Sequence, residues 1–481
     1  MGIKNSKPFV PIRFFNFVNK DFSPMSDRLV SINPATGKVL GEYAIYDEKK
    51  VDNAVRQSQK AFEQWRQLSL KERGAVMKKI AAQIRKDKEK LAKLASAEMG
   101  KPIAQSLAEV EKCAYTFEFY AKEGPAFLKD EIVKTDARKS YVSFQPLGTV
   151  LAIMPWNFPY WQVFRAMAPA IMAGNVMLLK HASNISGCAL AIEKVVKDSG
   201  APKGLIQALL LPSSRVEALI ANPAIAAITF TGSTTAGSKV AMAAAKHIKK
   251  QVLELGGSDP YIVLKDADME LAVKISVDGR LVNSGQSCVA AKRFIVEKAV
   301  KKEFEKQFVE LMEAARFGDP LDMDKKIGPM ARHDLRDQLH EQVQKSIAMG
   351  AKLLCGGYIP DNDGAYYPPT VLSNVKKGMP AYDEELFGPV ASIIEAKDEA
   401  DAIRLANDSI YGLGAGIFSK NRARAEKIAA TQLQAGNCFV NSFVHSDPRL
   451  PFGGVKQSGY GRELSIFGIR EFVNIKTVFI N

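Results

Sequence analysis

Short apolar runs alternate with stretches of helical spacing through most of the chain. Over 51–65 apolar residues fall at 51, 54, 55, 61, 62 and 65, one face of an amphipathic helix, and Asp47 is placed to cap its start. The run 148–154 is continuously apolar and stops at Pro155, which predicts a buried strand. A second such run, 176–179, ends at Lys180, and a helix to about Ser199 follows and closes at Gly200. Runs at 205–211, 225–230 and 252–255 repeat the strand pattern. Beyond Glu254 the alternation resumes: strands at 261–264 and 294–296, helices from about Met269 and over 301–316. Strands alternating with helices predict an α/β fold with parallel sheets covered by helices on both faces. Two such units joined near residue 255 predict two domains with a ligand cleft between them.

Composition narrows the class. A chain of 481 residues is long for one core, and no apolar run reaches the ~18 residues of a membrane span. The formal net charge is +14, which raises nucleic-acid binding as an alternative. The lysines are scattered among acids, as in 86–90, with no basic stripe interleaved with aromatics, so the charge reads as a solvated face that favours small anionic ligands. Five widely spaced cysteines without a Cys-x-x-Cys pair fit a reducing cytosol better than a disulfide scaffold. The five dispersed histidines offer no metal-ligand spacing, and no metal is expected. Residues 1–24 are basic and acid-poor; they are read as an extension, with a transit peptide as the alternative.

Several short motifs carry candidate chemistry. In Gly285-Gln286-Ser287-Cys288 the glycine permits close approach to a ligand, and a cysteine beside free backbone amides would be an acidified nucleophile. Taken alone it reads equally as a buried structural cysteine. Glu254, at the end of an apolar strand before Leu255-Gly256-Gly257, is a general-base candidate with a raised pKa, or a strand-end carboxylate in solvent. Pro155-Trp156-Asn157-Phe158-Pro159 is a rigid turn whose asparagine can donate to an oxyanion. Phe230-Thr231-Gly232-Ser233, followed by Gly237, is a strand–loop–helix candidate for phosphate. Gly412-x-Gly414-x-Gly416 reads as a loop.

Together and in order, these motifs resemble the aldehyde dehydrogenase superfamily from about Asp27 to the C-terminus. Lys180, Glu384-Glu385-Leu386-Phe387-Gly388-Pro389, Pro451-Phe452-Gly453-Gly454 and the Glu254-to-Cys288 separation belong to the same likeness. The resemblance implies that Cys288 attacks an aldehyde, that Asn157 and the Cys288 N–H hold the oxyanion, and that Glu254 activates water to hydrolyse a thioester. It also implies a nicotinamide dinucleotide: Lys180 at the adenosine ribose or its phosphate, Glu385 at the nicotinamide ribose, Phe387 beside it, with Pro155, Trp156, Gly232, Ser233 and Leu255 as further cofactor contacts. Three residues after Lys180, NAD-preferring relatives often carry a glutamate; Ser183 here favours NADP, with NAD as a second acceptor.

Lys180 to Asn184, Glu254 to Pro260 and Ser446 to Arg449 look like a bacterial subgroup of succinate-semialdehyde dehydrogenases. That likeness implies Arg165 as the cation for the substrate carboxylate, with Trp161 and Ser446 completing the pocket. Val282 stands where another branch carries a second arginine, which leaves a broader aliphatic or semialdehyde dehydrogenase open. A non-catalytic protein on this fold is opposed by Cys288, Glu254 and Asn157 together. The family further implies a homodimer or dimer of dimers, with a β-hairpin near 124–143 and a final strand at 472–480 pairing across subunits. The expected division is an extension over 1–25, a cofactor-binding domain over 26–123 and 144–255, a catalytic domain over 256–457, and an oligomerisation element from 124–143 and 458–481.

Overall fold

The computed structural model describes residues 28–481; the reading of the N-terminal extension lies outside them. The chain starts with the antiparallel pair β1 (Arg28–Ile32) and β2 (Val39–Ala44). Four helices follow, Glu48–Trp65, Leu70–Lys86, Lys88–Met99 and Ile103–Phe127. Asp47 caps the first, as its position predicts, accepting a bond from the Lys50 N–H. Ser69 and Glu72 form a reciprocal capping box on the second. The fourth helix runs further than expected, so the hairpin begins later, as β3 (Glu131–Ile132) and β4 (Lys139–Pro146).

The first large sheet collects β5 (Thr149–Ile153), β6 (Val176–Lys180), β7 (Ile206–Ala208), β8 (Ile225–Thr231) and β9 (Lys250–Glu254) in the order β9-β8-β5-β6-β7, all parallel. Every residue of β5 and β6 is buried, which explains their continuous apolar character: helices cover both faces. The second sheet holds β10 (Pro260–Val263), β11 (Arg293–Glu297), β12 (Lys352–Cys355), β13 (Thr370–Ser373), β14 (Val390–Ala396), β15 (Gly414–Phe418) and β16 (Asn437–Val440), in the order β12-β13-β14-β11-β10-β15-β16. The stretch read as a loop at 412–416 is therefore wrong from Gly414 onward. β15 is a central strand, and its glycines are there for packing: a Cβ on Gly414 would lie 2.2 Å from Asp259 Oδ2 and one on Gly416 2.9 Å from the Tyr261 ring.

The chain then returns. β17 (Gly459–Tyr460) adds antiparallel to β9, and β18 (Val473–Ile480) pairs with β4 along its whole length within the same chain. Among the described residues no helix is long and apolar enough to cross a membrane.

Candidate active site

Parallel strands aim their carboxyl ends at one edge of a sheet, and the sequence motifs sit at those ends. β5 leads into Pro155-Trp156-Asn157, β6 ends on Lys180, β8 leads into Gly232-Ser233, and β9 ends on Glu254 before Leu255. Ser233 caps the helix Thr234–Lys246, its hydroxyl accepting from the Ala236 N–H, so the predicted strand–loop–helix is present.

Two cavities meet beside Cys288. One, of about 410 Å³, is lined by Pro155, Trp156, Asn157, Gly232, Ser233 and Leu255 from the first unit. Glu385 and Phe387 face them from the second. The other, of about 340 Å³, is lined by Trp161, Arg165 and Ser446, with Phe158, Val282 and Phe452 among its apolar walls. Cys288 and Gln162 belong to both linings. Lys180 and Ser183 line neither cavity; Lys180 Nζ donates to Ser213 Oγ at 3.4 Å.

The backbone before Cys288 is forced into an unusual path. Asn283, Ser284 and Gly285 are consecutive left-handed residues, with φ of +53°, +56° and +74°. Buried bonds hold this strain in place. Arg280 Nη2 donates to Gly285 O at 2.6 Å, Asn283 Nδ2 to Asn157 O at 2.6 Å, and Asn157 Nδ2 to Gln286 O at 3.0 Å. On the far side Lys292 Nζ donates to the carbonyls of Ser287, Cys288 and Ala290 at 2.9, 2.9 and 3.1 Å. The loop thus reaches Cys288 clamped from both ends, one clamp being the backbone and side chain of Asn157.

Electrostatics correct one expectation. The Cys288 thiol is not acidified: burial pushes its pKa up to about 12, outweighing the nearby Arg165 and Lys292 charges, with Glu254 and Glu385 adding to the rise. Glu254 is 1% exposed, and among the described residues neither carboxylate oxygen has a hydrogen-bond partner. Burial, reinforced by the Glu463 charge, raises its pKa to about 8, as expected of a carboxylate at an apolar strand end. The alternative of a solvent-facing glutamate is excluded. Arg165 lies on the helix Trp161–Met172, but its partner is buried rather than superficial: Nε pairs with Glu463, and the guanidinium carbon stands 4.9 Å from the Phe452 ring centre.

The larger cavity offers polar groups suited to the nicotinamide half of a dinucleotide, with Lys180 and Ser183 outside its lining. Thr231 Oγ1 is buried on its wall without a hydrogen-bond partner among the described residues. A Cβ on Gly256 would lie 2.6 Å from Glu385 Oε2, so glycine there gives the carboxylate its room. Glu385 accepts from the Gly257 N–H at 3.0 Å and lies 3.5 Å from Lys292 Nζ, while Phe387 packs edge-on against Trp156 at 5.7 Å.

Sequence reasoning did not find Lys112, which lines the smaller cavity, Lys292 or Glu463. Glu463 carries no motif, and Lys292 reads as an ordinary basic residue. Lys112 had a faint signal, a charge on a long helix between positions of its buried face, Glu109 and Cys113.

A cysteine between two cavities, with a buried carboxylate at the end of β9, is the arrangement of an oxidoreductase of the aldehyde dehydrogenase type. The chain belongs to the aldehyde dehydrogenase family, whose pattern it matches over residues 22–478. It is 48% identical to the succinate semialdehyde dehydrogenase [NAD(P)+] of Escherichia coli strain K12, over 94% of this chain and 97% of that one. It is 46% identical to a probable succinate-semialdehyde dehydrogenase [NADP(+)] of Synechocystis, over 94% and 99%. Its fold superposes on the crystal structure of succinic semialdehyde dehydrogenase from Streptococcus pyogenes in complex with NADP+ with a TM-score of 0.92, at 36% identity over 94% and 99% of the two chains.

Proposed function

We propose that this protein oxidises succinate semialdehyde to succinate with NADP+ or NAD+ as acceptor. The observation that carries the reading is Cys288 standing where the two cavities meet, within a family whose similar members bear that activity in their names. In this reading the smaller cavity takes the aldehyde and the larger the dinucleotide. Cys288 Sγ bonds to the aldehyde carbon while its proton passes to the Glu254 carboxylate and on to solvent, and the C=O electron pair moves to the carbonyl oxygen, which gains the negative charge. Asn157 Nδ2 and the Cys288 N–H hold that oxyanion. When bound, the dinucleotide supplies the hydride acceptor that turns the adduct into a thioester. Glu254 then takes a proton from water, whose oxygen displaces the Cys288 thiolate and releases the carboxylate.

Pro155, Trp156, Gly232, Ser233, Leu255, Glu385 and Phe387 shape the cofactor side, with Lys180 and Ser183 at the adenosine end and Glu385 and Phe387 at the nicotinamide end. Trp161, Arg165 and Ser446 shape the substrate side. The first sheet with its helices is the cofactor-binding domain, the second sheet with its helices the catalytic domain, and β3, β4 and β18 form an element that assembles copies of the chain in the cytoplasm.

The test is reduced-cofactor absorbance, crossing succinate semialdehyde and butanal with NADP+ and NAD+, in wild type and Cys288→Ala. Succinate semialdehyde should win with either acceptor and Cys288→Ala should be inactive. Equal use of butanal would leave aldehyde oxidation standing and remove the semialdehyde assignment.

A further inference from the structure

The smaller cavity carries one charge that nothing balances. Of the ionised groups on its wall, Glu109 is paired with buried Lys101 and also accepts the N–H groups of Tyr160 and Trp161, both at 2.8 Å. Arg165 is paired with Glu463. Lys112 makes no ion pair among the described residues. Its Nζ donates to Ser446 O at 2.6 Å and to Ser446 Oγ at 2.9 Å, and stands 4.2 Å from the centre of the Trp161 ring. The neighbouring carboxylate, Asp447, is committed to Arg449, with two bonds at 2.9 and 2.6 Å.

From this charge count we propose that Lys112, with the Ser446 hydroxyl, recognises the distal carboxylate of the substrate, while Arg165 serves as a positioning residue held by Glu463. The proposal rests on the semialdehyde reading above. An ammonium has three N–H donors, and two are directed to Ser446. Ser446 Oγ accepts from Lys112 and keeps its own proton to donate. A carboxylate arriving here meets the Lys112 ammonium and a polarised hydroxyl, while the other ionised side chains of the wall, Glu109 and Arg165, are already paired. Burial first, and the Arg165 charge second, bring the Lys112 pKa down to about 8, so the free site holds an ammonium that lacks a counter-ion and would gain one on binding. A neutral aldehyde of the same length offers nothing to this charge.

The experiment compares kcat and KM for succinate semialdehyde and butanal in wild type, Lys112→Met, Lys112→Arg and Arg165→Met, together with inhibition of butanal oxidation by succinate. Lys112→Gln, which keeps a donor for Ser446, replaces Lys112→Met if the latter fails to fold. The neutral variant should lower the preference for succinate semialdehyde by roughly tenfold or more, through KM, and weaken succinate inhibition to match. Lys112→Arg should restore most of both. Arg165→Met should depress the two aldehydes together. If wild type prefers succinate semialdehyde and the neutral Lys112 variant keeps that preference, the assignment of Lys112 fails and the substrate reading survives. If wild type shows no preference, both fall together.

Discussion

Arg165 and Glu463 form an ion pair in which the side chains are only 2% and 3% exposed. Such a pair is held by its geometry: separating the charges from water is costly, and their mutual attraction offsets that cost only while both are present. Glu463 also raises the pKa of Glu254, so the pair sits against the proposed base as well as beside the substrate cavity. Removing one partner should therefore cost more than removing both. Arg165→Met is expected to lower stability by about 3–5 kcal/mol by leaving a buried carboxylate alone. The double variant Arg165→Met/Glu463→Leu should recover much of that loss. Urea unfolding of the two singles and the double closes the cycle; additive losses would mean the two residues act independently.

Glu254 sets an expected pH profile. A general base works deprotonated, so the hydrolytic step should rise with pH through about 8, the value to which burial and Glu463 bring this carboxyl. Glu463→Gln removes a like charge, eases Glu254 ionisation, and should move that ascending limb to lower pH. Glu254→Gln should lower kcat by roughly 10²–10⁴-fold while a first turnover of reduced cofactor still appears in stopped flow. A kcat profile flat between pH 6.5 and 9 in about equal buffers would exclude titration of Glu254 from the slow step.

The loop before Cys288, the proposed nucleophile, gives a third prediction. Gly285 has φ +74°, and a Cβ there would lie 2.2 Å from Gly388 O, a backbone atom that cannot swing aside. Gly285→Ala thus meets both the left-handed penalty of about 1–2 kcal/mol and a main-chain clash. The loop must move, and it carries the Cys288 N–H with it. A lowered Tm together with a loss of kcat larger than that of KM is expected; unchanged kcat in a folded Gly285→Ala protein would show that the loop tolerates displacement.

The parts of this molecule that were legible in the chain share one property: their pattern is local. β5, β6 and β8 are dominated by short apolar runs, 150–153, 176–179 and 225–228, and Asp47 stands three residues before the N–H it binds. Cys288, Glu254 and Asn157 sit in short motifs. What was not legible depends on packing across long separations. Gly414 looks like loop until Asp259 and Val444 close on it. The acidity of Cys288 was misjudged because its neighbours in sequence suggest free amides, whereas burial sets the sign. Arg165 could be placed on its helix but not matched with Glu463, which lies on a segment 298 positions away that the sequence gives no reason to bring near.

Cofactor preference should be decided at the end of β6. Among the described residues Lys180 Nζ has only a long contact, 3.4 Å, to Ser213 Oγ and no ion pair, and burial lowers its pKa. Ser183 begins the short 3-10 turn Ser183–Ile185, and its carbonyl accepts the Ser186 hydroxyl at 2.9 Å, which fixes the turn without using the Ser183 side chain. A 2′-phosphate placed between them meets a cation and a hydroxyl donor. A 2′-hydroxyl needs neither. Ser183→Glu sets a carboxylate against the phosphate and should lower the NADP+/NAD+ ratio of kcat/KM by roughly tenfold or more. Lys180→Ala should shift the ratio the same way, with KM for NADP+ rising more than KM for NAD+. Initial rates with both acceptors at saturating aldehyde measure this directly. A ratio that stays put in Ser183→Glu would place recognition of the 2′-position elsewhere on the chain, because two negative charges cannot share this corner without a cost that initial rates would register.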